Sequence, residues 1–230
     1  MKPVLLLFDI DLTMIKTGGA GLRIMEEAFR KFTGHEGEIT PISPDGKTDP
    51  LIVPELFAVN NQAYDKKIYQ PFMKHYLDRL DEDQKNQTDW LIYDGVQTLL
   101  DKLSAMENMF LALVTGNEER GARIKLKPFD LNRYFPVGGF ASDSAVRAEL
   151  VPIAINRAEQ HYQQTFEPDN VFIIGDSVGD VNCANASGVN CLAVTTGHTS
   201  REELLNSGEC TVVSDLTDTD AIIRIFSQKN

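Results

Sequence analysis

The chain has 230 residues, 42% of them hydrophobic and 24% charged, which suits a globular core with a smaller second unit and needs no disulfide staples. A net charge of −12 excludes non-specific binding to nucleic acid or an anionic membrane as a main role, and any phosphate site would need local cations. The three cysteines, an odd number without C-x-x-C spacing, read as packing residues rather than a disulfide set or zinc site, which makes the cytoplasm the expected location.

The first element is the apolar run Val4 to Phe8. It has the length and continuity of a strand buried on both faces of a parallel sheet. Asp9 and Asp11 interrupt it, so it is too short for a signal-peptide core or a membrane span. Thr17 to Gly21, with three glycines, is either a hinge or a tight turn. Helical segments follow at Leu22 to Phe32, Asp49 to Asn60 and Tyr64 to Leu80, with no buried strand among them. Between the first two, Asp45-Gly46-Lys47-Thr48-Asp49-Pro50 reads as a turn and a helix start. Lys47 beside a helix N-terminus can meet an anionic substrate. The alternative is a plain turn, with Thr48 or Asp49 as N-cap and Lys47 in solvent. Asp81 to Asp89 is polar and reads as a linker or turn.

From Val96 onward the pattern changes. A helix over Val96 to Ser104, a strand over Met109 to Val114, a helix over Leu150 to Tyr162 and a strand over Val171 to Ile174 come in succession. A strand over Cys191 to Val194, a helix over Glu202 to Asn206, a strand over Thr211 to Val213 and a helix over Asp218 to Phe226 complete the chain. Alternation of this kind predicts an α/β fold with a doubly wound parallel sheet, a Rossmann-like core. The core comprises residues 1–16 and 91–230, with an inserted helical subdomain at 17–90.

Ligands of open α/β sheets bind beyond the carboxyl ends of the strands. The residues there are Asp9 and Asp11 after the first strand, Thr115, Gly116 and Asn117 after the second, and Asp176, Ser177 and Asp180 after the third. Several carboxylates in one crevice repel each other and stay ionised only beside a cation. Oxygen ligands without nearby histidine or cysteine point to a hard ion such as Mg²⁺. The four histidines share no ligand spacing, and Trp90 and Tyr93 read as core rather than as a stacking platform.

These segments resemble the haloacid dehalogenase superfamily. F-D-I-D-L-T (Phe8 to Thr13), V-T-G-N (Val114 to Asn117) and G-D-S-V-G-D (Gly175 to Asp180) are similar to its first, second and fourth motifs. Arg147, in R-A-E-L-V-P-I, falls where the family places its third-motif cation, usually a lysine. The insert resembles the helical cap of the phosphoglycolate phosphatase-like and β-phosphoglucomutase-like branch, whose cap loop, here around Lys47, faces the active site.

The resemblance implies a phosphomonoester hydrolase acting on a small phosphorylated metabolite. Asp9 would be the nucleophile and Asp11 the acid and base. Thr115, Gly116 and Asn117 would hold the phosphoryl oxygens, and Arg147 would steady Asp9 and the phosphate. Asp9, the backbone of Asp11, Asp176 and Asp180 would serve Mg²⁺. A phosphomutase is the alternative, and a catalytically silent binding protein is less expected because every motif residue is present. Leu12 stands where many relatives have glycine. No nucleic-acid or membrane partner is expected, and the protein would be a monomer or homodimer.

Overall fold

The side chains of β1 (Val4–Phe8) alternate between the two faces of a sheet, and all five are buried. Leu6 and Phe8 enter one apolar cluster, Leu5 and Leu7 the other. That double burial explains why the run lacks a polar alternation. The computed structural model describes residues 2–86 and 89–227. After β1 come β2 (Ile15–Lys16), α1 (Ala20–Thr33), α2 (Asp49–Val59), α3 (Lys66–Asp83), β3 (Leu91–Ile92), α4 (Val96–Ser104) and β4 (Met109–Thr115). They are followed by α5 (Glu119–Leu126), β5 (Gly138–Phe140), α6 (Arg147–Tyr162), β6 (Val171–Gly175) and α7 (Val178–Ser187). The chain ends with β7 (Asn190–Val194), α8 (Arg201–Ser207), β8 (Thr211–Val213) and α9 (Thr219–Ser227).

The main sheet has six parallel strands in the order β5-β4-β1-β6-β7-β8. β1 lies between β4 and β6, where the winding reverses, so its carboxyl end is the topological switch point at which ligands bind. Residues of α4 and α9 cover one face of the sheet; residues of α6, α7 and α8 cover the other. The helices α1, α2 and α3 pack around a separate cluster that includes Phe29, Phe57, Phe72 and Tyr76. A two-stranded antiparallel ribbon, β2 with β3, joins this helical unit to the sheet. Both chain crossings therefore pass through one narrow neck.

Five strands and helices were not anticipated from sequence: β2, β3, β5, α5 and α7. β5 is Gly-Gly-Phe, without an apolar run, and is a strand only because β4 pairs with it. Helix α5 is eight residues and strongly polar, and α7 has no amphipathic stripe. What starts α7 is a capping box: Ser177 accepts from the Asp180 N–H and Asp180 accepts from the Ser177 N–H. The expected linker at Asp81 to Asp89 is helical through Asp83, and its residues 87 and 88 lie outside the described residues. Among the described residues, no helix is long and apolar enough to cross a membrane.

Candidate active site

Asp9 follows the last residue of β1, and its N–H donates to the Ile174 carbonyl of β6 at 2.9 Å. That bond fastens it at the centre of the sheet's carboxyl edge, where it is 7% exposed. Arg147 is the first residue of α6. It does not point into solvent: its Nη2 lies 3.1 Å from Asp9 Oδ2 and also hydrogen-bonds Asp180. The second oxygen of Asp180 accepts from the Ser177 hydroxyl at 2.6 Å and the Ser177 N–H at 3.1 Å. Both Asp180 oxygens are thus engaged, and the residue anchors Arg147 while capping α7. Asp176 accepts from the Thr13 hydroxyl at 3.0 Å.

One oxygen each of Asp9, Asp176 and Asp180 lies within 4.8 Å of the others. Burial pushes the Asp9 carboxyl above its ordinary range, and Arg147 only partly offsets this. Burial, then the charges of Asp180 and Asp9, push Asp176 up as well. One guanidinium cannot neutralise three buried carboxylates, and a divalent cation would relieve that crowding. The donors are oxygens alone, so the set fits a hard ion such as Mg²⁺. Asp9 and Asp176 are best placed to hold it.

A second network lies beside the first. Asn117 donates from Nδ2 to Asp11 Oδ2 at 2.8 Å and to Thr115 Oγ1 at 2.9 Å. Lys125 donates from Nζ to Asp11 Oδ2 at 2.6 Å and to Asn117 Oδ1 at 2.7 Å. An ammonium only donates, so the amide atom facing it is the oxygen, and this fixes the Asn117 orientation. With a lone pair of Thr115 Oγ1 occupied, its hydrogen is left to bond an oxygen in the cavity. Burial disfavours the charged form of Lys125, but Asp11, Tyr76 and Asp49 together outweigh it and raise its pKa.

The helical unit closes over this edge. Thr48 occupies the N-cap position of α2 but does not cap it; its hydroxyl donates instead to the Ala145 carbonyl at 2.7 Å. The Asp49 N–H donates to the Gly116 carbonyl at 2.8 Å, and the Glu118 N–H donates to Asp49 Oδ2 at 2.8 Å. Burial pushes the Asp49 carboxyl up to about 7, against the pull of Lys125. A Cβ on Gly116 would sit 2.0 Å from the Lys47 carbonyl oxygen; only glycine permits so close an approach. His198 Nδ1 lies 3.2 Å from Asp45 Oδ2, joining the loop after β7 to the loop before α2.

Between the two units lies a cavity of about 310 Å³, the size for a small ligand. Asp9, Asp11, Thr115, Gly116, Asn117, Arg147, Asp176 and Lys47 all line it, and Asp180 stands behind Arg147. Lys47 contributes backbone, but its ammonium is held by Glu55 at 2.6 Å. The helical end is lined by Leu22, Met25, Pro44 and Ile52. Leu12, at φ 59, adopts the left-handed conformation that glycine takes without strain. Sequence reading missed Lys125, Thr13 and Asp49 as parts of the site. For Lys125 one signal was present: it lies three residues after buried Ala122 on the same face of α5, an odd register for a lysine.

A model of the haloacid dehalogenase-like hydrolase family matches residues 6–194. Phosphoglycolate phosphatase 1 of Pseudomonas aeruginosa is 30% identical over 129 residues, which is 55% of this chain and 45% of that protein. The chain thus matches about half the length of that relative. A phosphoglycolate phosphatase of Pseudomonas syringae pv. syringae is 26% identical across 93% of this chain and 77% of its own length. Among solved structures, CbbY from Rhodobacter sphaeroides in complex with phosphate superposes with a TM-score of 0.77 at 13% identity, covering 94% of this chain and 96% of that one. That likeness speaks to the fold.

Proposed function

The chain belongs to the haloacid dehalogenase-like hydrolase family, and on that premise we propose that it is a Mg²⁺-dependent phosphomonoesterase acting on a small phosphorylated metabolite. One observation carries the reading: the buried Asp9 carboxylate rests against Arg147 and faces a cavity that Asp11 and Thr115 also line. A nucleophile needs an exposed lone pair, a positioned counter-charge and a proton donor for the leaving group, and the nearness of Asp9, Arg147 and Asp11 supports those roles for them.

In the proposed reaction an oxygen of Asp9 attacks phosphorus. The bond from phosphorus to the leaving oxygen breaks, and that oxygen takes a proton from Asp11. Water then gives a proton to Asp11 and attacks the phosphorus of the aspartyl-phosphate; the electron pair returns to Asp9 and inorganic phosphate departs. Throughout, Arg147 neutralises charge near Asp9 and the phosphoryl oxygens, and the Thr115 hydroxyl donates to one of those oxygens. Bound Mg²⁺, held by Asp9 and Asp176 with the Asp11 backbone carbonyl, would supply further charge neutralisation at the phosphoryl group.

The cavity volume and the phosphoglycolate phosphatase relatives support a small phosphorylated acid or sugar as substrate. The test is phosphate release from 4-nitrophenyl phosphate and a panel of 2-phosphoglycolate, glycerol 2-phosphate and hexose phosphates, with Mg²⁺ and with chelator. Turnover that needs Mg²⁺ is expected. No release from any substrate would overturn the reading. Conversion of a hexose 1-phosphate to the 6-phosphate without phosphate release would favour a mutase instead.

A further inference from the structure

We propose that Lys125 is a positioning residue for the reaction: it fixes which oxygen of Asp11 exchanges the proton, and it ties that carboxylate through Asn117 to the Thr115 hydroxyl. The proposal rests on the acid and base role assigned to Asp11 above.

Lys125 sits near the end of α5, and that helix is gripped from both sides. Ala122 and Leu126 pack into the cluster on the sheet, and Ile124 packs into the cluster of the helical unit. The ammonium is therefore delivered to one place, and the side chain is only 6% exposed. Asp11, by contrast, follows a strand end, and its side chain is 37% exposed. By itself it would sample several rotamers.

Both donors that hold Asp11 converge on a single oxygen. Lys125 Nζ at 2.6 Å and Asn117 Nδ2 at 2.8 Å both bond Oδ2. A proton placed on Oδ2 would collide with them. Oδ1 has no hydrogen-bond partner among the described residues and is left as the oxygen that gives and takes the proton. Asn117, held by the same lysine, also accounts for the orientation of Thr115. One ammonium thus aligns the proton donor with a group that would bind the phosphoryl oxygens. A role in stability alone does not explain the choice of residue: desolvating a lysine is costly, and a half-exposed aspartate needs no buried counter-ion.

The test uses the full chain with Mg²⁺ and compares kcat/KM for two leaving groups. One is the alkyl phosphate of the panel that the wild type hydrolyses best, whose alkoxide must be protonated as it leaves. The other is 4-nitrophenyl phosphate, whose phenolate departs without help. Lys125→Met is expected to lower kcat/KM for the alkyl phosphate by about 10²-fold, the lower range for misplaced acid catalysis, and to lower the aryl value much less, through the loosened Thr115 alone. Asp11→Asn should show the same split, and Lys125→Arg should recover part of the loss. If Lys125→Met does not fold by circular dichroism, Lys125→Gln, which keeps a neutral donor, carries the same comparison. Equal loss on both substrates, or none, in the lysine variants while Asp11→Asn splits them would overturn the proposal and spare the reading of Asp11. An Asp11→Asn enzyme that lowers both equally would overturn that reading and the proposal with it.

Discussion

At the sheet end of the cavity, Arg147 holds Asp9 and Asp180 by buried charge, and Asp176 stands beside them on the Thr13 hydroxyl; at the helical end, Leu22, Met25, Pro44 and Ile52 contribute hydrocarbon. The contrast follows from what each end must recognise. A phosphoryl group carries the same charge and geometry in every substrate, and only particular donors at fixed distances answer it. A leaving group varies in shape, and apolar side chains of similar volume can replace one another at modest cost. Even Lys47, on the loop before α2, is neutralised by Glu55.

Substitutions at the two ends should therefore differ in kind. The largest effect is expected at Asp9→Asn, which should lower kcat by at least about 10⁴-fold, as loss of a nucleophile does elsewhere, with the circular dichroism spectrum unchanged; retention of activity would remove the central role given to this residue. Arg147→Met leaves two buried carboxylates without their cation and should cost about 3–5 kcal/mol in urea unfolding. Arg147→Lys keeps the charge and should lose less.

The seam between the two ends is tested by Asp49. Burial raises its carboxyl from an ordinary 3.8 to about 7. The folded state therefore holds a proton that the unfolded chain releases. That contribution is fully present below about pH 4 and is lost as pH rises through about 7. Asp49→Asn should abolish this loss, so the variant gains on wild type between pH 4 and 8 by up to about 4 kcal/mol. Parallel melts of the two proteins across that range would reveal it; curves that stay parallel would refute the burial argument.

Smaller effects belong to the apolar lining. Leu22→Ala should change the preference between short and bulky alkyl phosphates by about 10-fold in kcat/KM, since a few methylenes decide little more than that. Leu12→Gly should be nearly neutral in stability, within about 1 kcal/mol, because relief of the left-handed conformation is offset by glycine's greater unfolded freedom. A large loss at Leu22 would erase the distinction between the two ends.

Much of this was readable in the chain itself. Val4–Phe8 was legible as a strand because continuous apolar residues of strand length have few other uses. Asp9, Asp11, Thr115 and Asp176 were legible because each directly follows such a strand or lies within a few residues of one, and sheet geometry brings strand ends together. α5 and α7 carry too little apolar periodicity to declare themselves, and β5 becomes a strand only through its neighbour β4. The left-handed backbone of Leu12 was anticipated only as a departure from glycine.

The sequence by itself determined the α/β class and the set of oxygen donors at the sheet edge, because those depend on local pattern and on order along the chain. Tertiary structure decided how they are wired. Lys125 reaches Asp11 from 114 positions away, and Asp180 turns both its oxygens to Arg147 and Ser177 rather than to the cavity. Lys47 is drawn to Glu55 on the adjacent helix. Each outcome is a choice among competing charge partners, and a charge takes whichever counter-charge the fold brings within a few ångströms.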